Sequence, residues 1–184
     1  FETMTPVQSQ SYEYVASGVD CVAQSRTGTG KTFAFGLPLI EKLVAQGDNR
    51  KDGRDGLPLV LILEPTRELA IQVAQELSLV CREHHMYVEA FYGGSSYSFQ
   101  ERSLRKGLHI LVATPGRCLD HISRGTLDLS YVQTIVLDEG DTMLEMGFQQ
   151  DVENIMANVK TPGEDARQMA AASLDSYGDE EDYY

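Results

Sequence analysis

Short apolar runs rich in β-branched residues alternate along this chain with stretches of helical periodicity. Three runs have the length and composition of strands buried on both faces: residues 59–63, 109–113 and 134–137. Three other stretches have the apolar spacing of amphipathic helices: residues 68–81, 99–106 and 117–122. This order of elements predicts an α/β fold built on a mostly parallel sheet.

A polar or glycine-bearing cluster follows each of these apolar runs directly. The clusters read EPTRE at residues 64–68, TPGR at 114–117 and DEGD at 138–141. In open α/β sheets the functional site lies at the carboxyl ends of the strands. We therefore expect the three clusters to converge on one rim of the sheet.

The segment CVAQSRTGTGKTFAF predicts a strand at residues 21–24, a loop at 25–32 and an apolar helix after it. Glycines in such a loop let backbone N–H groups surround a phosphate at a helix N-terminus, and the lysine neutralises phosphate oxygens. A serine, Ser25, stands where this loop pattern has its first glycine, and the alternative is a glycine-rich turn that binds nothing. The predicted nucleotide-binding residues, with Thr32 also a magnesium ligand, are Arg26, Thr27, Gly28, Thr29, Gly30, Lys31 and Thr32.

Two adjacent carboxylates follow the apolar run at 134–137. An enzyme with a phosphate loop needs one carboxylate to hold Mg²⁺ and another to orient and deprotonate the attacking water. We assign these two roles to Asp138 and Glu139, which with Lys31 form the predicted catalytic set. Taken without the phosphate loop, the pair would be an ordinary helix N-cap.

Composition sets the limits on domain number and on partners. A chain of 184 residues, 42% of them hydrophobic, is long enough for one sizeable core. We expect a domain at residues 1–160 and an acidic, flexible or incomplete segment at 161–184. The formal charge of −13 has the wrong sign for binding nucleic acid by bulk electrostatics, so any such contact must be local. No long apolar run predicts a membrane span.

Taken together, the motifs resemble those of the DEAD-box RNA helicases in order and approximate spacing over residues 1–160. Residues 5–8 (TPVQ) resemble the Q motif, 25–32 motif I, and 65–70 (PTRELA) motif Ia. Residues 93–94 resemble the GG element, 114–117 motif Ib, and 138–141 motif II, written DEGD here.

The resemblance implies an ATP- and Mg²⁺-dependent helicase with a RecA-like P-loop NTPase fold, helices covering both faces of the sheet. It implies that Gln8 selects adenine and that a second RecA-like domain, absent from these residues, completes the enzyme. It also implies sequence-independent contacts to the backbone of one RNA strand. The RNA-binding residues that it implies are Pro65, Thr66, Arg67, Gly93, Gly94, Gln100, Thr114, Pro115, Gly116 and Arg117.

Phrases such as SRTGTGKTFAF and FYGGSSY resemble the nucleolar Gu-type branch and its organellar relatives most. This resemblance implies a role in ribosome assembly, with ribosomal or other ribonucleoprotein assembly proteins as partners, in the nucleolus, nucleus or mitochondrion. The chain departs from the family in having no Ser-Ala-Thr motif III after motif II. Two other functions are considered: a catalytically quiet scaffold in an assembly intermediate, and a DNA-directed relative, which the RNA-type PTRELA, TPGR and Q motifs disfavour.

Overall fold

The computed structural model describes residues 3–26, 28–47 and 57–159, and the predicted segment at 161–184 lies outside these ranges. A parallel sheet has the strands β1 (Val60–Leu63), β2 (Val88–Phe91), β3 (Ile110–Ala113) and β4 (Thr134–Leu137). The helices are α1 (Pro6–Ser17), α2 (Lys31–Gln46), α3 (Arg67–Cys81), α4 (Tyr97–Arg105), α5 (Pro115–Ser123), α6 (Gly140–Glu145) and α7 (Gln149–Met156). A short 3₁₀ helix, Arg82–His84, follows α3.

The strand order is β2-β3-β1-β4, and every pair of neighbouring strands is parallel. The two central strands are completely buried, which explains why their sequences are apolar without alternation. Short connections would not allow parallel pairing, so a helix follows each strand and returns the chain to the opposite end. The predicted α/β architecture is confirmed.

Helices pack on both faces of the sheet, and successive residues of β1 divide between the two cores. Val60 and Ile62 join the core beneath α2 and α3, where Leu39, Ile40 and Leu77 are buried. Leu61 and Leu63 join the other core, with residues of α5, α6 and α7: Cys118, Met143 and Ile155. The domain therefore has three layers, helix, sheet and helix.

The strand expected at residues 21–24 does not form in this structure. Cys21 is exposed and Val22 is 100% exposed, and this segment is not part of the sheet. A strand is stable only when its backbone N–H and C=O groups pair with a neighbour. In the part of the chain described, the sheet ends at β4, whose outer side has no paired strand.

Candidate functional site

The polar clusters that follow the strands do meet on one rim. Backbone hydrogen bonds continue the sheet by one residue beyond each strand end: Thr114 N donates to Phe91 O, Glu64 N to Ala113 O and Asp138 N to Leu63 O, at 2.9–3.1 Å. These bonds fix Glu64, Thr114 and Asp138 side by side along the carboxyl edge. The expectation of convergence is confirmed.

The phosphate loop ends at the N-terminus of α2, as predicted. Gly28 and Gly30 have φ of 76° and 87°, a left-handed conformation that residues with a side chain rarely adopt. Hydrogen bonds of 2.9 Å between the Ser25 and Thr29 hydroxyls and of 2.8 Å from Thr29 to the Arg26 carbonyl brace the loop. The first turn of a 16-residue helix offers its free N–H groups to an anion here.

Gln8 contacts the phosphate loop directly. It is 7% exposed; its Oε1 accepts a 2.9 Å bond from Thr5 N, and its Nε2 donates a 3.2 Å bond to Gly30 O. A Cβ on Gly30 would lie 2.5 Å from Gln8 Nε2, so glycine is required there for close approach as well as for φ. The Q-motif residue and the phosphate loop therefore form one unit.

Lys31 and Glu139 are 108 positions apart in sequence and meet in space. Lys31 Nζ lies 3.4 Å from Glu139 Oε1, and both side chains are about one quarter exposed, at 24% and 25%. This contact brings the phosphate loop to the carboxyl end of β4. The two segments therefore lie next to each other on the rim.

Asp138 and Glu139 differ in their surroundings. Burial raises the pKa of Asp138, an effect that Lys31 opposes, and its Oδ1 accepts a 3.0 Å bond from Glu139 N. Glu139 adopts a left-handed backbone with φ of 51° and points Oε2 towards Thr142 Oγ1 at 3.5 Å. Strained backbone of this kind concentrates at functional sites.

A third carboxyl group, Glu64, lies beside this pair. Glu64 is 0% exposed, and burial raises its pKa to about 9, with the charge of Asp138 as the next cause. Sequence reasoning placed Glu64 in the rim cluster but gave it no role. The only available signal was an acidic residue directly after a wholly apolar strand.

The donor set suits ATP and a hard divalent cation. Mg²⁺ prefers oxygen ligands and is usually held by one or two carboxylates plus substrate phosphates. Asp138 and the Thr32 hydroxyl supply such oxygens on the segments that the Lys31–Glu139 contact joins. Both oxygens of the buried Glu64 carboxyl also lack a hydrogen-bond partner of normal geometry.

The predicted nucleotide-binding residues differ in the element they belong to and in their exposure to solvent. Gly28 and Thr29 lie in the braced loop, and Lys31 and Thr32 begin α2. Arg26 is exposed to solvent. Thr27 lies outside the described residues.

Two of the arginines expected to bind RNA lie beside the loop that follows β2. Arg67 is exposed, and a Cβ on Gly94 would lie 3.7 Å from its Nη1. Arg117 donates a 3.1 Å bond to Ser95 O. The motif Ia, GG and Ib segments therefore form one continuous surface, although they are distant in sequence. Gly93, Gly94 and Gly116 are exposed on it.

Gln100 differs from the expectation that it contacts RNA, because its side chain is 0% exposed. Its Oε1 accepts bonds from Arg117 Nη1 at 3.0 Å and from the buried His121 at 2.7 Å. Gln100 therefore fixes the position of Arg117.

The Arg117 guanidinium also stacks over the Tyr97 ring at 4.1 Å. Sequence reasoning missed Tyr97 and His121, which no motif marked. Pro65 and Pro115 are likewise buried, so neither ring can touch an RNA strand directly. Thr66 accepts a 3.3 Å bond from Leu69 N as the N-cap of α3, and Thr114 is the N-cap residue of α5.

In the part of the chain that the structure describes, no helix is long and apolar enough to cross a membrane. No three of the described His, Cys, Asp and Glu residues are arranged to hold a metal ion by themselves.

Comparison with known proteins gives consistent results. The sequence profile of the DEAD/DEAH box helicase family matches residues 5–177. The ATP-dependent RNA helicase CshA of Listeria monocytogenes is 49% identical over 159 residues, which are 86% of this chain and 29% of that protein. Nucleolar RNA helicase 2 of Rattus norvegicus is 50% identical over 151 residues, 82% of this chain and 19% of that protein. This chain thus spans less than a third of either relative.

A solved structure is similar as well. The crystal structure of a hypothetical ATP-dependent RNA helicase from Sulfolobus tokodaii superimposes with a TM-score of 0.74 at 37% identity. The match covers 86% of this chain and 43% of that one. The sheet and its flanking helices therefore form the RecA-like domain that the motifs imply.

Proposed function

Because this chain belongs to the DEAD/DEAH box helicase family, we propose that it is the nucleotide-binding domain of an ATP-dependent RNA helicase. The observation that carries the proposal is the 3.4 Å contact between Lys31 Nζ and Glu139 Oε1. It joins the phosphate loop to the carboxylate pair, which are the two parts that ATP hydrolysis requires.

ATP would be held by three elements whose geometry is already in place. The phosphate loop and the α2 N-terminus surround the phosphates with N–H groups, and Lys31 adds a mobile positive charge. Gln8, which is held against Gly30, would recognise the adenine edge. The adenine role of Gln8 rests on the family resemblance.

Asp138 and Thr32 would hold Mg²⁺. When bound, Mg²⁺ neutralises charge on the phosphate oxygens and orients them for in-line attack. Glu139 would orient the attacking water and accept its proton, because its carboxylate faces Lys31 on the open side of the rim. Lys31 would exchange its contact with Glu139 for the phosphates, which would free the carboxylate for this work.

The surface formed by motifs Ia, GG and Ib would bind the sugar-phosphate backbone of a single RNA strand. Arg67 and Arg117 supply positive charge, and the exposed glycine amides supply N–H donors that do not distinguish bases. The local charge at these arginines explains how a chain with a net charge of −13 could bind RNA. Binding would therefore be independent of sequence.

A second RecA-like domain would close over ATP and RNA. Closure would bend the RNA strand held between the two domains, and this bend would separate a short RNA duplex. The relative named nucleolar RNA helicase 2 supports a role in ribosome assembly, with ribonucleoprotein assembly proteins as partners. A catalytically quiet scaffold is the competing possibility. The intact Lys31, Thr32, Asp138 and Glu139 favour the enzyme.

The RNA surface is tested by Arg117→Ala in the intact protein, with Arg105→Ala as the control. Arg105 lies on the same helix as Gln100, and its 80% exposed side chain pairs with Glu101 at 3.5 Å. Loss of one charge-assisted phosphate contact costs about 1.5–3 kcal/mol. Fluorescence anisotropy with single-stranded RNA and a non-hydrolysable ATP analogue should show roughly 10- to 100-fold weaker binding for Arg117→Ala.

Arg105→Ala should bind RNA as the wild type does. Equal affinities for wild type and Arg117→Ala would remove Arg117 from the interface. A single-stranded DNA of the same sequence serves as the competitor, and equal preference for DNA would favour a DNA-directed relative.

A further inference from the structure

The Glu64 carboxyl group occupies the centre of the functional rim. It directly follows β1, and its backbone N–H donates a 2.9 Å bond to Ala113 O on one side. On the other side, Asp138 N donates a 3.1 Å bond to Leu63 O, the residue before it. The side chain therefore starts from a backbone position that the sheet fixes between β3 and β4.

The carboxyl group is buried without the partners that burial normally requires. Glu64 is 0% exposed, and neither Oε1 nor Oε2 has a hydrogen-bond partner of normal geometry. Its nearest charged groups are Asp138, Glu139 and Lys31, the three residues assigned to catalysis. A buried carboxyl in contact with another carboxyl is unfavourable unless something else accounts for its presence.

The missing partner must be a hydrogen-bond donor or a cation that reaches the space beside Asp138. Without a cation, burial and the charge of Asp138 keep Glu64 protonated, since its pKa is raised to about 9; a divalent cation beside Asp138 would favour the carboxylate form, which only accepts hydrogen bonds. Bound Mg²⁺ keeps several of its waters, and those waters donate hydrogen bonds.

We propose that Glu64 is a positioning residue for the metal, accepting hydrogen bonds from waters on the Mg²⁺ ion that Asp138 holds. This inference rests on the proposed function, since it requires the metal at Asp138 and Thr32. Glu64, directly after β1, would then be a third group that holds the ion and its waters, in addition to Thr32 at the phosphate loop and Asp138 after β4. Outer groups of this kind orient ligands and tune affinity for the metal.

The position of Glu64 also dictates how the test must be designed. Pro65, Thr66 and Arg67 follow it in sequence and belong to the proposed RNA surface, so a substitution at 64 could disturb RNA binding. Measurements without RNA separate the two effects. The readout must be metal affinity rather than turnover, because turnover also depends on the second domain.

The experiment measures Mn²⁺ binding by electron paramagnetic resonance in the intact protein, with a non-hydrolysable ATP analogue and no RNA. Wild type is compared with Glu64→Gln, which keeps the shape and removes the charge. The matched control is Glu89→Gln, a half-buried carboxyl on β2 whose pKa is also raised by burial but which lies in the strand at the far edge of the sheet. Binding of the analogue in EDTA is measured in parallel.

We expect Glu64→Gln to weaken Mn²⁺ binding about tenfold, as loss of one charge-assisted contact does. Binding of the analogue in EDTA should stay at the wild-type value, and Glu89→Gln should match the wild type in both assays. Unchanged Mn²⁺ affinity in Glu64→Gln would overturn the inference and leave the proposed function intact.

Two other outcomes also decide against a role in positioning the metal. If Glu64→Gln weakens the analogue equally in EDTA, Glu64 is structural. If wild type binds no Mn²⁺ with nucleotide, both the Glu64 inference and the magnesium assignment fail. Glu64→Ala provides a larger truncation. If Glu64→Ala does not fold, Glu64→Gln alone decides the question.

Discussion

At the scale of single residues, the site depends on charges that neutralise one another across the rim. Burial raises the pKa of Asp138 against the opposing charge of Lys31, which also lies 3.4 Å from Glu139. One cation thus faces the three carboxyl groups of Glu64, Asp138 and Glu139. Glu64 is protonated at neutral pH, because burial raises its pKa to about 9, so a divalent cation would balance the carboxylates of Asp138 and Glu139 and favour ionisation of Glu64. Lys31, the cation that faces all three groups, is the residue most sensitive to substitution.

We predict that Lys31→Ala abolishes useful nucleotide affinity. The substitution removes charge-assisted bonds to phosphate and leaves the carboxylates facing the triphosphate uncompensated, a loss of about 3 kcal/mol or more. Titration with a fluorescent ATP analogue should show affinity lowered by at least roughly 100-fold. Lys106→Ala, a surface substitution at the end of α4, is the control, and wild-type affinity in Lys31→Ala would exclude the assigned phosphate role.

At the scale of elements, the sequence predicted the central strands and the helices after them more fully than the edges. β1 and β3 are buried on both faces, so they must be apolar throughout and their pattern is unambiguous. β2 was not predicted, because the charged Glu89 interrupts its short apolar sequence and only Phe91 is buried; the other edge strand, β4, was predicted because its sequence is apolar. The residues at 21–24 have strand composition, yet strand formation also needs a paired neighbour, which sequence periodicity does not report.

The site was predictable where chemistry and spacing coincide, at the phosphate loop and the carboxylate pair. It was less predictable where tertiary contacts decide the role. Gln100 matched a family motif but is buried, and its bonds to Arg117 and His121 depend on α4 and α5 packing together. Glu64 could be recognised only once its burial and its nearness to Asp138 were known.

The packing of α2 against α3 leads to a prediction about glycine. A Cβ on Gly36 would lie 2.3 Å from Leu77 Cδ2, and Leu77 is fully buried. Overpacking costs typically about 1–3 kcal/mol, which exceeds the gain of about 1 kcal/mol from placing Ala in a helix. Gly36→Ala should therefore lower the Tm by a few degrees in calorimetry.

Gly116→Ala is the matched control for this stability measurement. Gly116 is also helical, but a Cβ there would meet nothing within 4 Å. The Tm of Gly116→Ala should equal that of the wild type or be slightly higher. Equal destabilisation by the two substitutions would show that close packing does not explain Gly36.

The contact between α4 and α5 predicts a pH dependence of stability. Burial lowers the pKa of His121, and Arg117 lowers it further, whereas Asp120 and Glu101 act weakly in the opposite sense. The unfolded chain therefore takes up a proton at higher pH than the folded one. The stabilisation that neutral His121 gives the folded state is fully present above the ordinary histidine pKa of 6.5. It is lost as the pH falls from 6.5 to the lower pKa that His121 has in the folded state.

Urea denaturation at a series of pH values tests this statement. His121→Gln should flatten the decline of the free energy of unfolding below the ordinary histidine pKa. His84→Gln, at an exposed position, should leave that decline unchanged. An identical pH profile in His121→Gln and wild type would contradict a buried neutral His121.

At the scale of the whole molecule, the fold places the residues of the two proposed sites on one rim. The nucleotide residues gather at β1, β4 and the start of α2, and the RNA surface gathers at the ends of β1, β2 and β3. The segment 64–67 belongs to both, since Glu64 faces Asp138 and Arg67 lies beside Gly94. The two sites are therefore linked through four consecutive residues, a short path by which RNA binding could alter the nucleotide site.

Glu139→Gln separates binding from hydrolysis. The substitution keeps the side-chain shape but removes the base, and loss of a general base typically slows turnover about 10²- to 10⁴-fold. ATP should remain bound, and the protein should stay closed on single-stranded RNA. Filter binding with labelled ATP and RNA should recover a stable ternary complex that wild type forms only transiently.

The most direct measurement is the steady-state ATPase rate of the intact protein with and without single-stranded RNA, for wild type and Glu139→Gln. We predict that RNA stimulates the wild-type rate and that Glu139→Gln abolishes the stimulated rate without preventing ATP binding. A wild-type rate that RNA does not change, together with an unaltered rate in Glu139→Gln, would contradict the enzyme and support a scaffold.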